Sequence, residues 1–297
     1  ASFLYLQPML AVVTNVDEDH MATYGNDFAR LRSTFLEFLH HLPFYGQAVM
    51  CIDDENVRDL LPEVTRKVVT YGEHPDADVR ALSITQSGMT TTFTVAIRGR
   101  DAFEVKLNLP GRHNVLNALA AIAIADELGV PVPSIQRALQ EFAGIGRRFQ
   151  ARTGCAIADR DVLLIDDYGH HPREVAATLE AVRAGWPDRR IVLAFQPHRY
   201  SRTQDAFDDF VGVLSQVDVL ILAEVYAAGE APIVGADGRA LSRAIRARGQ
   251  VDPVFIEQID DLPEVLKGVV ATGDVVVTMG AGDVGRVAAQ MTEAFCQ

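Results

Sequence analysis

Polar side chains able to do chemistry are concentrated in short segments of this 297-residue chain, and segment 166–172 is the richest of them. Its sequence, Asp-Asp-Tyr-Gly-His-His-Pro, follows an apolar run that predicts a strand, and Pro172 suits the first turn of a helix. Because ligands in open α/β sheets lie beyond the carboxyl ends of the strands, we predict that this segment lines a binding site. An ordinary polar strand-to-helix turn is the alternative.

A second segment, 196–203, follows the next predicted strand with the sequence Gln-Pro-His-Arg-Tyr-Ser-Arg-Thr. Arg199 and Arg202 lie three positions apart, and Ser201 could cap the helix that begins there. Two guanidinium groups beside a helix N-terminus bind anions well. The segment therefore predicts an anion site, with a solvated turn as the alternative.

Arg147 lies in the glycine-rich, basic segment 144–148, between two sets of alternating strands and helices. An arginine at such a junction could reach the γ-phosphate of a nucleotide as two domains close. A solvated basic linker would explain the same residues equally well.

Segment 110–117, Pro-Gly-Arg-His-Asn-Val-Leu-Asn, opens a long predicted helix. The free N–H groups and the positive dipole end of a helix N-terminus suit a nucleotide. Asn114 and Asn117 lie on one face, where their amides could pair with an adenine edge. A Pro-Gly turn with capping side chains is the alternative.

Segment 14–20, Thr-Asn-Val-Asp-Glu-Asp-His, follows another predicted strand. Its carboxylates and the imidazole of His20 could bind a divalent cation at the strand end. A polar loop whose acidic residues cap a helix is the more ordinary interpretation.

Segment 280–285 matches the pattern G-x-G-x-x-G between a predicted strand and a predicted helix. In dinucleotide-binding domains this pattern belongs to the first βαβ unit, and an acidic residue follows about 20 positions later, after a second strand. Only twelve residues follow Gly285. We therefore expect a strand-to-helix turn, lining a substrate cleft, rather than a nicotinamide site.

Strands and helices must alternate along most of the chain to position these segments. In the first half, the apolar runs predict strands at 10–16, 48–52, 67–71, 79–85, 89–97 and 103–109. Helical spacing predicts helices at 27–42, with Asn26 as the cap, and at 55–61, 112–128 and 132–142. The first elements follow a βαβ order and predict a parallel sheet, whereas the last three strands predict a small antiparallel meander.

A new set of strand–helix units begins near residue 150. Its predicted strands cover 162–166, 191–195, 219–222, 254–256 and 275–279. Helical patterns lie between them, which indicates a doubly wound α/β domain. We therefore predict two α/β domains, 1–149 and 150–297.

Composition argues against several classes of protein. The net charge of −13 disfavours a nucleic-acid-binding protein, which needs a basic face, although clustered arginines can hold a phosphate in an acidic protein. No apolar run approaches the roughly 20 residues of a membrane span. Three separated cysteines without a CxxC pair predict neither a disulfide framework nor a zinc site, and they fit a reducing cytoplasm.

Taken together and in this order, the segments resemble the Mur ligase family over essentially the whole chain. The resemblance implies a partial central domain of P-loop type with a small antiparallel meander, followed by a Rossmann-like C-terminal domain. It implies ATP and Mg²⁺ as cofactors, with His20 helping to bind Mg²⁺. It also implies that ATP contacts His113, Asn114, Asn117, Arg147 and Asp167.

The double histidine and segment 198–203 resemble the members of this family that add L-alanine. The resemblance implies that ATP phosphorylates the lactyl carboxylate of UDP-N-acetylmuramate and that the amine of L-alanine attacks the acyl phosphate. Catalytic roles then belong to Arg147, Asp167 and His170. The implied substrate-binding residues are Tyr168, His170, His171, His198, Arg199 and Arg202.

One departure from the family pattern concerns the phosphate loop, because no G-x-x-G-K-[ST] sequence is present. The family places this loop and a UDP-binding domain before the segment that begins here. We therefore expect a fragment that is inactive alone, with an exposed apolar edge on its first sheet, and a C-terminal domain that folds independently. A non-catalytic nucleotide-binding module and a fragment without ligand affinity are the alternatives, and a homodimer is left open.

Overall fold

The computed structural model describes residues 1–18 and 21–296. These residues form two compact units, each with its own six-stranded sheet. The first unit contains residues 1–86, 90–108 and 112–142, and the second contains 87–89, 109–111 and 143–297. The uninterrupted part of the second unit begins at residue 143. The predicted domain boundary at 149/150 stays a prediction. Among the described residues, no helix is long and apolar enough to cross a membrane.

The first sheet combines parallel and antiparallel strands in chain order. Its strands are β1 (Leu10–Val13), β2 (Gln47–Cys51), β3 (Lys67–Gly72), β4 (Val79–Ser87), β5 (Thr90–Ile97) and β6 (Phe103–Leu107). β1, β2 and β3 are parallel, and β4 continues in parallel through the pairing of Tyr71 with Val79. β5 and β6 are antiparallel. The predicted meander therefore extends the parallel sheet rather than forming a sheet of its own.

Four helices cover the first sheet within the described residues. They are α1 (Phe28–His40), α2 (Glu55–Leu60), α3 (Arg112–Glu127) and α4 (Val132–Glu141). The predicted cap of α1 at Asn26 is wrong, because Asn26 has a φ of 58°, whereas a capping residue needs an extended backbone. Asp27 has that backbone, and its carboxylate accepts a hydrogen bond from the amide of Ala29 at 2.9 Å.

The second sheet has a doubly wound order, as the sequence predicted. Its strands are β7 (Gln150–Ile157), β8 (Arg160–Asp167), β9 (Ile191–Phe195), β10 (Val219–Ala223), β11 (Val254–Ile256) and β12 (Val275–Met279). They lie in the order β11-β10-β9-β12-β8-β7, parallel except for β7. β7 was not predicted, because it is an edge strand with few buried residues and therefore has no continuous apolar run.

Helices on both faces bury the second sheet. They are α5 (Pro172–Gly185), α6 (Tyr200–Asp205), α7 (Phe207–Leu214), α8 (Gly238–Arg248), α9 (Leu262–Val269) and α10 (Val284–Phe295). Leu163 packs in the core formed with α5, α7 and α8, while the next residue, Leu164, packs in the core formed with α9 and α10. Burial on both faces explains why these strands are continuous apolar runs in the sequence.

A disulfide between Cys155 and Cys296 corrects the expectation drawn from the cysteine pattern. The two residues are 141 positions apart, yet their Cα atoms are 3.9 Å apart. They meet because the end of β7 and the residue after α10 lie side by side as an antiparallel bridge. Sequence spacing could not predict this pairing, since only the fold brings the two segments together.

Candidate functional site

Most predicted site residues of the second unit gather where its parallel strands end. β8 ends at Asp167, β9 at Phe195 and β12 at Met279. The helices that follow β9 and β12 pack on opposite faces of the sheet, the arrangement in which open α/β sheets bind ligands beyond the strand ends. Segments 166–172 and 196–203 begin at this edge, and we call the group of side chains around it the strand-end site.

Arg147 enters the strand-end site from the loop that precedes β7. Its Nε donates to Oδ2 of Asp166 at 3.1 Å, and its Nη2 donates to the carbonyl oxygen of Gly280 at 2.7 Å. The guanidinium lies 5.1 Å from the centre of the Tyr168 ring and so close to Gly285 that any Cβ there would collide with it. With its side chain 29% exposed, Arg147 is an ordered part of the site rather than a solvated linker residue.

Asp166, whose side chain is 14% exposed, is the ion-pair partner of Arg147. Its Oδ1 accepts a hydrogen bond from Oγ1 of Thr278 at 3.0 Å, which leaves Oδ2 for the guanidinium. Burial raises the pKa of Asp166, and the nearby charge of Arg147 and the bond from Thr278 oppose that rise. Asp166 therefore fixes the orientation of the arginine from beneath the site.

Both carboxylate oxygens of Asp167 accept hydrogen bonds from backbone amides of the protein itself. One oxygen accepts the amide of Phe149 at 2.8 Å, and the other accepts the amide of Gly169 at 2.7 Å. The residue is 6% exposed. These bonds tie the Arg147 loop to the double-histidine turn, so the structure gives Asp167 a positioning role. Its predicted approach to a nucleotide stays a prediction.

Glu174, in the first turn of α5, holds the double-histidine turn. Its Oε2 accepts the amides of His170 at 2.8 Å and His171 at 3.0 Å, as in a capping box. Its Oε1 lies 3.7 Å from Nη1 of Arg148. His171 is thereby the residue that precedes α5, and Nδ1 of His170 lies 3.1 Å from the carbonyl oxygen of Tyr168. The ring of His170 meets those of Tyr168 and His198.

His198, just after β9, lies between two rings. Its ring centre is 5.6 Å from that of His170 and 5.5 Å from that of Tyr226, on which it stacks at 13°. The amide of Tyr226 donates to the carbonyl oxygen of Pro197 at 2.8 Å, which holds the two segments together. Burial, followed by repulsion from His170 and nearby arginines, lowers the pKa of His198 to about 4. Its imidazole is therefore neutral at pH 7 and able to accept a hydrogen bond.

Arg199 and Arg202 contact different groups rather than one shared anion. Nη1 of Arg202 lies 3.4 Å from Nδ1 of His198, and Nη1 of Arg199 lies 3.5 Å from Oε1 of Glu230. The amide and hydroxyl of Ser201 donate to the same Glu230 carboxylate at 3.0 and 2.7 Å. The predicted cap at Ser201 is wrong, because this residue already lies inside the first turn of α6 and its hydroxyl is taken by Glu230. A carboxylate of the chain itself thus occupies part of the predicted anion site.

Segment 280–285 forms the turn between β12 and α10. Oε1 of Gln196 accepts the amide of Val284 at 2.9 Å. A Cβ at Gly280 would lie 2.6 Å from the carbonyl oxygen of Gln196, and one at Gly282 would lie 2.7 Å from Tyr226. The glycines therefore permit close packing of the protein's own groups, which disfavours the dinucleotide-binding alternative.

The candidate adenine-binding residues lie in the first unit, at the start of α3. His113 and Asn114 are partly buried and Asn117 is exposed. Asn114 and Asn117 share one face of the helix, since residues three apart are neighbours on its surface. The preceding Arg112 forms an ion pair with Glu73. Contact of these residues with a nucleotide stays a prediction.

His20, the candidate metal ligand, lies outside the described residues. Within residues 1–18 and 21–296, no three His, Cys, Asp or Glu side chains cluster in a way that could hold a metal ion. Magnesium commonly keeps several waters and takes only one or two protein carboxylates beside substrate phosphates, so such a cluster is not required for its use.

Three residues of the strand-end site were absent from the sequence-based candidates: Glu174, Tyr226 and Glu230. Glu174 could have been recognised, because it follows His171 by three positions as in a capping box. Tyr226 and Glu230 lie in the irregular segment 224–237 between β10 and α8. No local spacing links that segment to the end of β9, so only the folded chain shows their position.

The fold and the strand-end site together define a two-domain α/β protein with a histidine- and arginine-rich site suited to anionic ligands. The sequence profile of the Mur ligase middle domain matches residues 2–125, and that of the Mur ligase glutamate ligase domain matches residues 147–282. The chain belongs to the Mur ligase family, which confirms the resemblance drawn from its motifs.

Individual relatives agree with this assignment. The UDP-N-acetylmuramate–L-alanine ligase of Methylococcus capsulatus is 59% identical over 293 residues, which are 99% of this chain and 62% of that protein. The crystal structure of the UDP-N-acetylmuramate–alanine ligase of Thermotoga maritima superimposes with a TM-score of 0.78 at 28% identity, covering 98% of this chain and 60% of that one. The MurF ligase of Thermotoga maritima, solved with ADP, shares the fold at 20% identity, with a TM-score of 0.73 over 97% of this chain and 62% of its own. The chain therefore spans about three fifths of the length of the relatives it matches.

Proposed function

We propose that this protein joins L-alanine to UDP-N-acetylmuramate at the expense of ATP, in the cytoplasm. The cysteine pattern no longer supports this localisation, since Cys155 and Cys296 pair. The 59% identity to the Methylococcus capsulatus ligase carries the proposal. In the proposed reaction, the lactyl carboxylate takes the γ-phosphoryl group of ATP and ADP leaves, after which the α-amine of L-alanine attacks the acyl carbon and loses a proton. The bond from that carbon to the phosphate oxygen breaks, phosphate leaves, and an amide remains.

The strand-end site offers groups for the charges that develop in this reaction. Arg147, oriented by Asp166, would stabilise the transferring phosphoryl group. His170 and the neutral His198 would orient the amine, and Asp167 would keep the Arg147 loop and the double-histidine turn in register. Tyr168 and His171 complete the wall that we propose for the substrate.

The residues proposed for the nucleotide are those that the family resemblance implies. We propose that His113, Asn114 and Asn117 contact its adenine. Magnesium, when bound, would neutralise charge on the phosphates, with His20 as its candidate protein ligand. Arg147 would contact the phosphates.

Arg199 and Arg202 are the proposed ligands of the α-carboxylate of L-alanine. We predict that Arg199→Ala raises the KM for L-alanine or lowers kcat by at least about tenfold, roughly 1.4 kcal/mol, because one guanidinium contact is lost. Steady-state kinetics on the protein in its complete length would measure this. Arg243→Ala, on α8, is a matched arginine control that we expect to be neutral, and unchanged kinetics of Arg199→Ala would remove Arg199 from the site.

The function itself is tested by phosphate release from ATP in the presence of UDP-N-acetylmuramate and L-alanine. The assay would use this chain and a version of the length of its relatives. Release that requires both substrates, in the longer version alone, is the expected result. If neither version releases phosphate under these conditions, the ligase proposal is wrong.

A further inference from the structure

We propose that Glu230 sets the amino-acid specificity of the strand-end site by excluding amino acids that carry a second carboxylate. The inference rests on the proposed function, in which Arg199 and Arg202 hold the carboxylate of the incoming amino acid. It adds a residue that lies outside every recognisable motif of the chain, in segment 224–237.

The carboxylate of Glu230 occupies a ready-made anion-binding position. Three donors point at it: the amide of Ser201 at 3.0 Å, the hydroxyl of Ser201 at 2.7 Å and Nη1 of Arg199 at 3.5 Å. Burial of Glu230 opposes ionisation, but these bonds and the charge of Arg199 outweigh it, so the pKa of Glu230 is lowered. The group therefore carries its full negative charge at neutral pH.

The segment that carries Glu230 is fixed to the end of β9. The amide of Arg199 donates to the carbonyl oxygen of Tyr226 at 2.9 Å, and the ring of Tyr226 stacks on His198. The amide of Glu230 donates in turn to the carbonyl oxygen of Ala227 at 3.0 Å. The backbone that carries Glu230 is therefore tied to the end of β9, beside Ser201 and Arg199.

The charges around this position favour one substrate carboxylate over two. Arg199 and Arg202 contribute two positive charges and Glu230 one negative charge, while His198 is neutral at pH 7. Glu230 therefore cancels one of the two arginine charges, which leaves one for the α-carboxylate of L-alanine and none for a second carboxylate. The side-chain carboxylate of L-aspartate or L-glutamate would meet the charge of Glu230 and would find the Ser201 donors already taken.

The first test removes the negative charge of Glu230 and keeps the size and shape of its side chain. Glu230→Gln in the protein of complete length should raise the ratio of kcat/KM for L-aspartate to that for L-alanine by at least about tenfold, measured by phosphate release. Glu257→Gln is the matched control, because Glu257 also pairs with an arginine, Arg239, but on the surface of the same unit. An unchanged ratio, with both amino acids affected equally, would show that Glu230 is only a structural support and would overturn the proposal.

The second test needs no catalytic turnover. In the 297-residue chain, Glu230→Ala should empty the position, so that added sodium acetate shifts the NMR signal of the Ser201 amide in a saturable way. The unsubstituted chain and Glu257→Ala should show no such shift. If acetate does not shift the Ser201 amide signal of Glu230→Ala, while the rest of the spectrum shows a folded protein, the inference is contradicted.

The two tests distinguish failure of the proposed role of Glu230 from failure of the proposed ligase function. If the unsubstituted protein releases no phosphate with L-alanine, the proposed function fails, and the acetate titration still decides whether Glu230 fills a carboxylate-binding position. If L-alanine is used but the ratio is unchanged in Glu230→Gln, the function stands and the specificity role of Glu230 is wrong.

Discussion

At the scale of single residues, the surroundings of Arg147 explain why an arginine is needed there. Its guanidinium bridges the Asp166 carboxylate and the Gly280 carbonyl oxygen, and it lies against the face of Tyr168. A planar group with several fixed donors can make these contacts together, whereas the ammonium of lysine cannot. The geometry of the site therefore depends on the shape of this side chain as well as on its charge.

We predict that Arg147→Ala lowers kcat at least about a hundredfold, roughly 2.7 kcal/mol, because the developing phosphoryl charge loses its partner. Arg147→Lys should recover only part of the loss, since lysine cannot span both acceptors. The assay is phosphate release by the protein of complete length. Arg286→Ala, which removes a surface pair with Asp260, serves as the control. A normal kcat in Arg147→Ala would exclude a role in phosphoryl transfer.

His198 should make stability depend on pH. Its pKa falls from an ordinary 6.5 to about 4 in the folded protein, chiefly through burial. Between these values the unfolded chain binds a proton that the folded chain does not, so stability is lost as the pH falls from 6.5 towards 4. The limiting slope is about 1.4 kcal/mol per pH unit, and partial exposure of the ring reduces it. Urea unfolding at a series of pH values should show a flatter profile for His198→Gln, and identical profiles would refute the prediction.

At the scale of elements, the N-terminus of α5 positions the double-histidine turn. A helix begins with amides that lack partners inside the helix, and Glu174 satisfies the two that precede α5. The same side chain also pairs with Arg148 in the loop before β7. One capping residue therefore connects the start of a helix to the loop that carries Arg147.

We predict that Glu174→Ala destabilises the second unit by about 1 kcal/mol, because two amides lose their acceptor. Glu174→Gln should cost less, since glutamine can still complete a capping box. Glu180→Ala, on the exposed face of the same helix, is the control. Urea unfolding followed by the fluorescence of Trp186, the single tryptophan of the chain, would report on this unit. Equal stability of the Glu174 and Glu180 variants would contradict the capping role.

At the scale of the whole molecule, the disulfide closes almost the entire second unit into one loop. It joins β7, the first strand of that unit's sheet, to the residue after α10, the last helix. A cross-link over a long loop restricts the unfolded chain more than the folded one. The two ends of the unit are therefore held together by a covalent bond as well as by packing.

Reduction of this bond should destabilise the second unit by about 2–4 kcal/mol. The measurement is the urea midpoint of Trp186 fluorescence with and without dithiothreitol. The double variant Cys155→Ser, Cys296→Ser should have the urea midpoint of the reduced chain, and dithiothreitol should not change that midpoint. Equal midpoints of the oxidised and reduced chains would show that the bond contributes nothing to stability.

Much of the fold could be predicted because local patterns were clear. β8, β9, β10 and β12 are apolar runs because they are buried on both faces, and β11 is a shorter apolar run at the edge opposite β7. β7 was missed because an exposed edge strand has no such run. Asp167, His170 and His198 could be proposed because chemistry-bearing types recur at strand ends, where the rules of α/β sheets place ligands. Arg147, in the loop before β7, was proposed from its glycine-rich, basic segment.

The sequence by itself determined the α/β class, the family and the short polar segments of the site, because each depends on residues close together in the chain. Only the tertiary structure decided which carboxylates face which arginines, that Cys155 meets Cys296, and that Glu230 occupies the position prepared by Arg199 and Ser201. These contacts join residues far apart in sequence. Local propensity and spacing carry no record of them, since they arise when strand ends and helix ends are packed side by side.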